Sequence, residues 1–454
     1  SLQSLDWVSS DLNHSSLQNY FDLTVIPSPG SIFQSISKLE PGHYGIWKNH
    51  QFETHSYWQY KHNNSFSGSF EEAQEELRLL MDRAVRRRLV ADVPVACFLS
   101  GGVDSSVITA LAAEQHPNMQ TFSVAFPEEE FDERTYAKRV AEHFSCKHHS
   151  LEVDASDFSY LRRLVNCYEE PFADSSMLPT GLLSQFTRSS ATVALSGDAA
   201  DELFGGYYRY LVMQKLAKYD FVPKNVRKGL AGAISPFCRS EIERSFSGKL
   251  KRLMRSYSKT GLERYHAVFA KDDYGDSRFT SNMQKGPGSL FSFEQKFNEQ
   301  GDFAHELMAL DVNTYLHNDI LVKVDRASMG HSLEVRSPFL DVEVAEFAMS
   351  LPLSYKMKGN ERKSILREAY RHKLPAEILD RPKMGFGLPV AHWFRNQWRG
   401  QVVELMNESP ILKEFLSEEY RKSLLERHLS GKEDCNAVLF SCVVLALWSE
   451  KLIK

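Results

Sequence analysis

The sequence predicts an α/β fold: a doubly wound, mostly parallel sheet followed by a mainly helical C-terminal part. Three observations predict it. Val95 to Leu99 is a short, almost wholly apolar run that ends in Ser100-Gly101-Gly102, the pattern of a buried parallel strand turning sharply into a helix. From Thr121 onward strand-like and helix-like runs alternate, the rhythm of a parallel sheet with helical crossovers. From Leu307 the apolar spacing is strongly helical.

Residues 1 to about 65 differ from the rest, being rich in Ser, Asn, Pro and aromatics. Leu17 to Tyr20 predicts a short helix. Ile36 to Leu39, Gly42 to Trp47 and Phe52 to Tyr57 predict short strands, joined at Pro41-Gly42 and Asn49. This is too little to bury a core alone. Asn63 to Gly68 reads as a linker, and Ser69-Phe70-Glu71-Glu72 as a helix start with Leu77, Leu80, Met81 and Val85 on its apolar face.

The organising strand and its glycine turn come after that helix, with Ser105 and Ser106 opening the next one. Beyond them lie a strand at Phe122 to Phe126, a helix from Asp132-Glu133, a strand at His148 to Val153, helices over Leu161–Val165 and Pro179–Phe186, and a strand from Ala191 to Leu195. The last strand runs into a second, acidic loop, Ser196-Gly197-Asp198-Ala199-Ala200-Asp201-Glu202. Residues 208 to 300 carry no readable chemistry. Ala437 to Leu447 is an almost wholly apolar helix, too short to span a bilayer.

Composition excludes several classes. The chain has 454 residues, 42% hydrophobic and 25% charged, ordinary for a globular protein of two or three domains. A net charge of −5 gives no field favouring nucleic acid or an acidic membrane. The densest basic run, Arg86-Arg87-Arg88, ends an amphipathic helix and reads as a solvated face. No signal-peptide pattern is read at the start. The six cysteines lack metal-ligand spacing and read as reduced thiols of a cytoplasmic protein.

A glycine loop between a strand and a helix N-terminus gathers backbone N–H groups at the positive end of a helix dipole and suits phosphate. No Gly-Lys-Ser/Thr comes after it, so terminal-phosphate transfer is not indicated. Ser-Gly-Gly-Val-Asp-Ser-Ser (100–106) resembles the pyrophosphate loop of the ATP pyrophosphatase superfamily, whose enzymes split ATP between the α and β phosphates. The second loop, through Phe204-Gly205-Gly206-Tyr207, resembles the asparagine synthetase motif Ser-Gly-(Glu/Asp)-Gly-x-Asp-Glu-x-Phe-Gly-Gly-Tyr, with Ala199 in place of a glycine. Asn318 to Met329, Leu333 to Asp341 and Arg381 to Pro389 also resemble that family.

The resemblance covers essentially the whole chain and implies an ATP-dependent amide-forming ligase. It implies that Leu99, Val124, Ser196 and Gly197 contact the nucleoside, and that Ser100, Gly101, Gly102, Asp104, Ser105 and Ser106 cradle the pyrophosphate. ATP is a polyanion, so two acidic loops facing it call for a cation; Asp104 and Asp201 are the expected Mg²⁺ ligands. The implied reaction adenylates a carboxylate, such as the aspartate side chain, and passes it to ammonia. Lys383 is the expected stabiliser of the developing charge, Asp198 orients the substrate or ammonia, and Asp325 and Arg336 shape the substrate end. The alternatives are a relative that adenylates a β-lactam, peptide or sugar-acid substrate, and a non-catalytic nucleotide-binding scaffold.

Residues 36 to 58 resemble the end of a glutaminase domain. Its nucleophile would be an N-terminal cysteine, and no cysteine precedes Cys97. The chain is therefore expected to use free ammonia, with a glutaminase domain or subunit as a further source. The resemblance also admits a homodimer. The expected division is a glutaminase-like remnant and linker over 1–65 and the synthetase part over 66–454.

Overall fold

The structure is a computed structural model that describes residues 2–125, 133–153, 157–234, 246–269, 275–284, 286, 288–297, 302–381 and 388–452. Its first elements are helix α1 (His14–Leu23) and an antiparallel hairpin of β1 (His43–Lys48) and β2 (Gln51–Ser56). Helix α2 (Phe70–Leu89) starts in a capping box: the Ser69 hydroxyl accepts from the Glu72 amide (3.1 Å) and the Glu72 carboxylate from the Ser69 amide (2.7 Å).

Then come β3 (Val95–Phe98), α3 (Val103–Gln115), β4 (Gln120–Ala125), α4 (Arg134–His143), β5 (Lys147–Glu152), α5 (Phe158–Val165), α6 (Met177–Arg188), β6 (Val193–Leu195) and α7 (Ala200–Phe204). A last short strand, β7 (Glu334–Arg336), completes the main sheet. Its order is β5-β4-β3-β6-β7, and every pairing is parallel. The expected doubly wound sheet is thus present. From β3 the chain moves outward to β4 and β5, then returns to add β6 on the other side of β3. The crevice beyond the carboxyl ends of β3 and β6 is therefore the topological switch point, where such sheets bind ligands.

Several expectations need correction. Ile36 to Leu39 forms no strand. Helix α3 begins at Val103, ahead of the expected Ser105, because Gly102 itself is the N-cap. The basic run is not merely solvated: Arg87 Nη1 lies 3.2 Å from Asp341, and Arg88 bonds the same carboxylate. Buried Asp341 also caps the helix Val342–Ser350 through the Glu343 amide (3.1 Å), so three groups hold its charge.

The N-terminal segment does not behave as one unit. Leu17, Tyr20, Phe21, Ile32 and Phe33 are buried in the same cluster as Trp393, Leu439 and Trp448. Tyr20 donates to the Ser441 carbonyl at 2.7 Å, in the C-terminal helix Asn436–Ser449. That helix is apolar all round because it is buried all round. The hairpin, by contrast, is almost entirely exposed, with Trp47 67% and Phe52 59% accessible. Among the described residues no helix is long and apolar enough to cross a membrane. Cys97, Cys435 and Cys442 are buried and form no disulfide.

Beside the sheet runs a continuous helical rod. It begins as Phe303–Asp311, widens into a π-helix over Val312–Leu321 and ends as Val322–Met329. Side chains explain the widening. Asn313, Thr314 and Asn318 bond the carbonyls of Ala309, Leu310 and Thr314, four residues back, in competition with the ordinary backbone bonds.

Candidate functional site

A cavity of about 570 Å³ opens beyond the carboxyl ends of β3 and β6. Its walls include Leu99, Ser100, Gly102, Asp104, Ser105, Val124, Ser196, Gly197, Asp198 and Asp201. These expected residues come from loops distant in sequence, and the parallel register brings them together.

The first loop is tight. Gly101 has φ +73°, and a side chain there would strike Tyr136 and the Ala137 amide, so both conformation and space require glycine. Ser105 Oγ accepts from the Ser100 amide (3.3 Å) and donates to the Gly102 carbonyl (3.2 Å), which fixes the turn. No side chain caps α3, so its first amides are open to a ligand. The second loop packs directly on the first. A Cβ on Gly197 would come within 2.9 Å of Asp104 Cβ and 3.0 Å of the Ser105 amide.

The centre of the site is a lysine that the sequence reading missed. Lys363 is buried, and its ammonium lies 2.6 and 2.7 Å from the two Asp104 oxygens and 2.7 Å from Asp201 Oδ1. Burial alone would lower its pKa; the two carboxylates outweigh that and hold it above the usual lysine value. The lysine is 259 positions from Asp104, and no local pattern marks it.

The two aspartates nonetheless fit the expected Mg²⁺. They converge on one point and there hold a cation. Among the described residues no group of three or more His, Cys, Asp or Glu could hold a metal ion. A pair of carboxylates completed by phosphate oxygens and water is a set Mg²⁺ accepts.

Asp198 accepts from Ser196 Oγ at 2.7 Å, and its own carbonyl accepts from Ser337 Oγ at 2.7 Å. Burial raises its pKa, opposed by the Ser196 hydroxyl and by Lys323. Its neighbour Ala199 has φ +73°, the left-handed conformation that a glycine would adopt freely. Glu202 accepts from Tyr207 Oη (2.6 Å) and is pushed up to about 7, first by burial and then by the Asp201 charge.

Other expected residues lie elsewhere. Gly101 shapes the loop but is not on the cavity wall. The Ser106 side chain is fully buried and its amide bonds the Gly102 carbonyl within α3. Asp325 is exposed and pairs with Arg326 at 3.3 Å. Arg336 leaves the cavity to bond Glu334 (2.7 Å) and the carbonyls of Arg88 and Val90 (2.8 and 2.9 Å). Its role here is to tie β7 to the end of α2. Lys383 lies outside the described residues.

Among the other cavity residues that were not singled out are Arg381 and Lys323. Arg381 stacks on Tyr136 (4.1 Å), bonds Glu133 (2.6 Å) and reaches the Ser100 and Gly101 carbonyls (both 3.4 Å). Lys323, two positions before Asp325 and on another face of that helix, lines the cavity instead.

The asparagine synthase family model matches residues 76–450, and a glutamine amidotransferase domain model matches residues 1–58. The glutamine-hydrolyzing asparagine synthetase 1 of Bacillus subtilis is 29% identical over 458 residues, covering 96% of this chain and 69% of that protein. Asparagine synthetase 3 of the same organism is 29% identical over 405 residues, 85% and 59% of the two chains. Amidase chry2 of Gibberella zeae is 25% identical over 427 residues, 84% and 62% of the two chains.

Two predictions arise from the acidic loop. An alanine at φ +73° costs roughly 1 kcal/mol more than glycine, so Ala199→Gly should stabilise the protein by about that much in urea denaturation. An unchanged or lower midpoint would contradict a left-handed Ala199. For Glu202, a raised pKa means that the folded state keeps a proton the unfolded chain has already lost. Its contribution to stability is fully present below the ordinary value of 4.5 and is lost as pH rises through about 7. Denaturation of Glu202→Gln across that window should show a shallower decline with pH than the parent; an identical slope would contradict the shift.

Proposed function

The chain belongs to the asparagine synthase family of ATP-dependent ligases, and from that we propose that it adenylates a carboxylate and converts it to an amide. The carboxylate is most simply the side chain of aspartate, giving asparagine, AMP and pyrophosphate. One observation carries this reading: the phosphate-loop helix and the acidic loop meet at the switch point around Asp104, Lys363 and Asp201.

In this reading the adenine lies between Leu99 and Val124, and the α3 amides with Ser100 and Ser105 hold the departing pyrophosphate. Asp104 and Asp201 would hold Mg²⁺, which neutralises phosphate charge when bound. Lys363 supplies a permanent positive charge beside the same oxygens, where negative charge grows as the bond to the α-phosphorus breaks. The acceptor carboxylate forms a bond to that phosphorus as pyrophosphate leaves. Ammonia then attacks the acyl carbon and AMP departs. Asp198 faces the acyl end and orients the acceptor or ammonia.

Arg381 anchors the chain at the phosphate loop, and Lys383 lies two positions beyond it, which supports a role for Lys383 at the reacting phosphate. We assign residues 66–454 to the synthetase part and 1–65 to a glutaminase-like portion with its linker. Ammonia comes free from solution or from a glutaminase domain or subunit. A second reading is the same adenylation on another carboxylate, that of a β-lactam, peptide or sugar-acid substrate.

Turnover of ATP should yield AMP and pyrophosphate in equal amounts, and Asp104→Asn should abolish it. Stoichiometric ADP and phosphate, or full activity of that variant at saturating Mg²⁺, would overturn the assignment. Lys383→Ala should lower turnover on the order of a hundred- to a thousand-fold with nucleotide affinity nearly unchanged. Turnover within a few-fold of the parent would remove Lys383 from the reaction.

A further inference from the structure

The total charge of the chain hides an uneven distribution. Residues 215–259 contain twelve lysines and arginines against three acids, a net of +9 in a chain whose total is −5. Among the described residues of this stretch the one acid is Asp220, and it is already claimed. Buried Arg227 donates to it at 2.9 Å, and buried Arg264 bonds it as well.

The helix Lys224–Ile234 runs through this stretch. Arg227 fixes it to the body, donating also to the carbonyls of Val222 (2.9 Å), Tyr257 (3.2 Å) and Lys259 (2.9 Å). Elsewhere the helix stands clear: a Cβ on Gly229 or Gly232 would meet nothing within 4 Å. Val226 and Leu230, one turn apart on one face, are each about half exposed. Phe221, just before the helix, is 80% exposed, and Tyr219 about half. Lys224 and Lys228 lie one turn apart on the opposite face, and both are exposed, as are Lys215 and Lys218.

We propose that the helix Lys224–Ile234, with the turn through Tyr219 and Phe221 in front of it, is a docking surface for an anionic lipid bilayer, on which the protein rests without crossing it. The surface shares no residue with the cavity wall.

The physical case joins charge to apolar exposure. Phe221, Val226 and Leu230 match the acyl boundary of a bilayer. Lysine stems lie along the same boundary while their ammoniums stay among anionic headgroups. An eleven-residue helix with two glycines holds poorly by itself, so a surface that covers Val226 and Leu230 stabilises it. Other partners fit less well. A second copy meeting this face with its own would set lysines against lysines, and a head-to-tail pair would leave the same face free on every next copy. A nucleic acid would satisfy the lysines and leave Val226 and Leu230 in water.

The test is co-sedimentation of the full chain with vesicles of phosphatidylcholine alone and of equal parts phosphatidylcholine and phosphatidylglycerol. The chain should bind the mixed vesicles and not the neutral ones, with a partition coefficient that falls as salt rises. Phe221→Ser with Leu230→Ser should lower that coefficient about ten-fold or more. Lys218→Glu with Lys228→Glu should lower it on the order of thirty-fold. All four side chains are exposed, so circular dichroism and ATP turnover of both variants in the absence of vesicles should match the parent's. Equal binding to neutral and mixed vesicles, or full binding by both variants, overturns the proposal. So does a parent chain that ignores vesicles, whether it instead shifts in a gel with single-stranded RNA or self-associates in a way that Lys218→Glu with Lys228→Glu abolishes.

Discussion

Two like charges face each other at the centre of this molecule, and a buried ammonium makes their proximity tolerable. Without Lys363, Asp104 and Asp201 would face each other with no counter-charge between them, partly shielded from solvent, and would repel. The need to place three groups together constrains a large part of the chain. Asp104 is set by the first turn of α3, and so by the β3 register. Asp201 is set by α7, and so by β6. Lys363 reaches in from the cap of the helix Ser364–Tyr370 in a left-handed conformation (φ +55°). The sheet supplies the two anions side by side, and the later helical part supplies the counter-charge.

That division explains which residues could be read from sequence. Both strand-end loops are local objects: an apolar run, a glycine turn and an acid within a few residues, each with its chemistry written beside it. Leu99, Asp104, Asp198 and Asp201 therefore fell on the cavity wall. Lys363 and Lys323 could not be seen, because their meaning comes only from partners far along the chain. Asp325 shows the complementary failure. It lies in the right helix, but a helix turns by roughly 100° per residue, so a choice two positions off selects a different face. Arg336 was misplaced because its guanidinium serves strand β7 and two carbonyls of α2's end. Ser106 failed for a similar reason: consecutive serines at a helix start point in different directions, and only Ser105 faces the loop.

The N-terminal segment was legible as elements but not as an arrangement. Its composition marked it as unlike the remainder of the chain, and the hairpin and short helix were both expected. The sequence did not show that α1 is a structural part of the C-terminal cluster while the hairpin stands free. Burial decides this: Leu17, Tyr20 and Phe21 are spaced to present one apolar face, whereas the hairpin's residues are exposed on both of its faces. The glutamine amidotransferase model ends at residue 58, yet the physical seam falls inside it.

The π-helical stretch Val312–Leu321 gives the cavity a dependence on counting as well as on chemistry. In the wider coil, side chains arrive at angles that differ from those of an α-helix of the same length, and Tyr315 within it and Lys323 just after it both line the cavity. Loss of a single residue in the stretch would change both the number of steps and the rotation per step, and so the angle at which Lys323 and the residues after it leave the rod. The cavity wall could then keep every side chain it now has and still face the wrong way. Relatives could diverge in what they accept by gaining or dropping one position in this rod, a change that comparison of aligned residue identities would pass over.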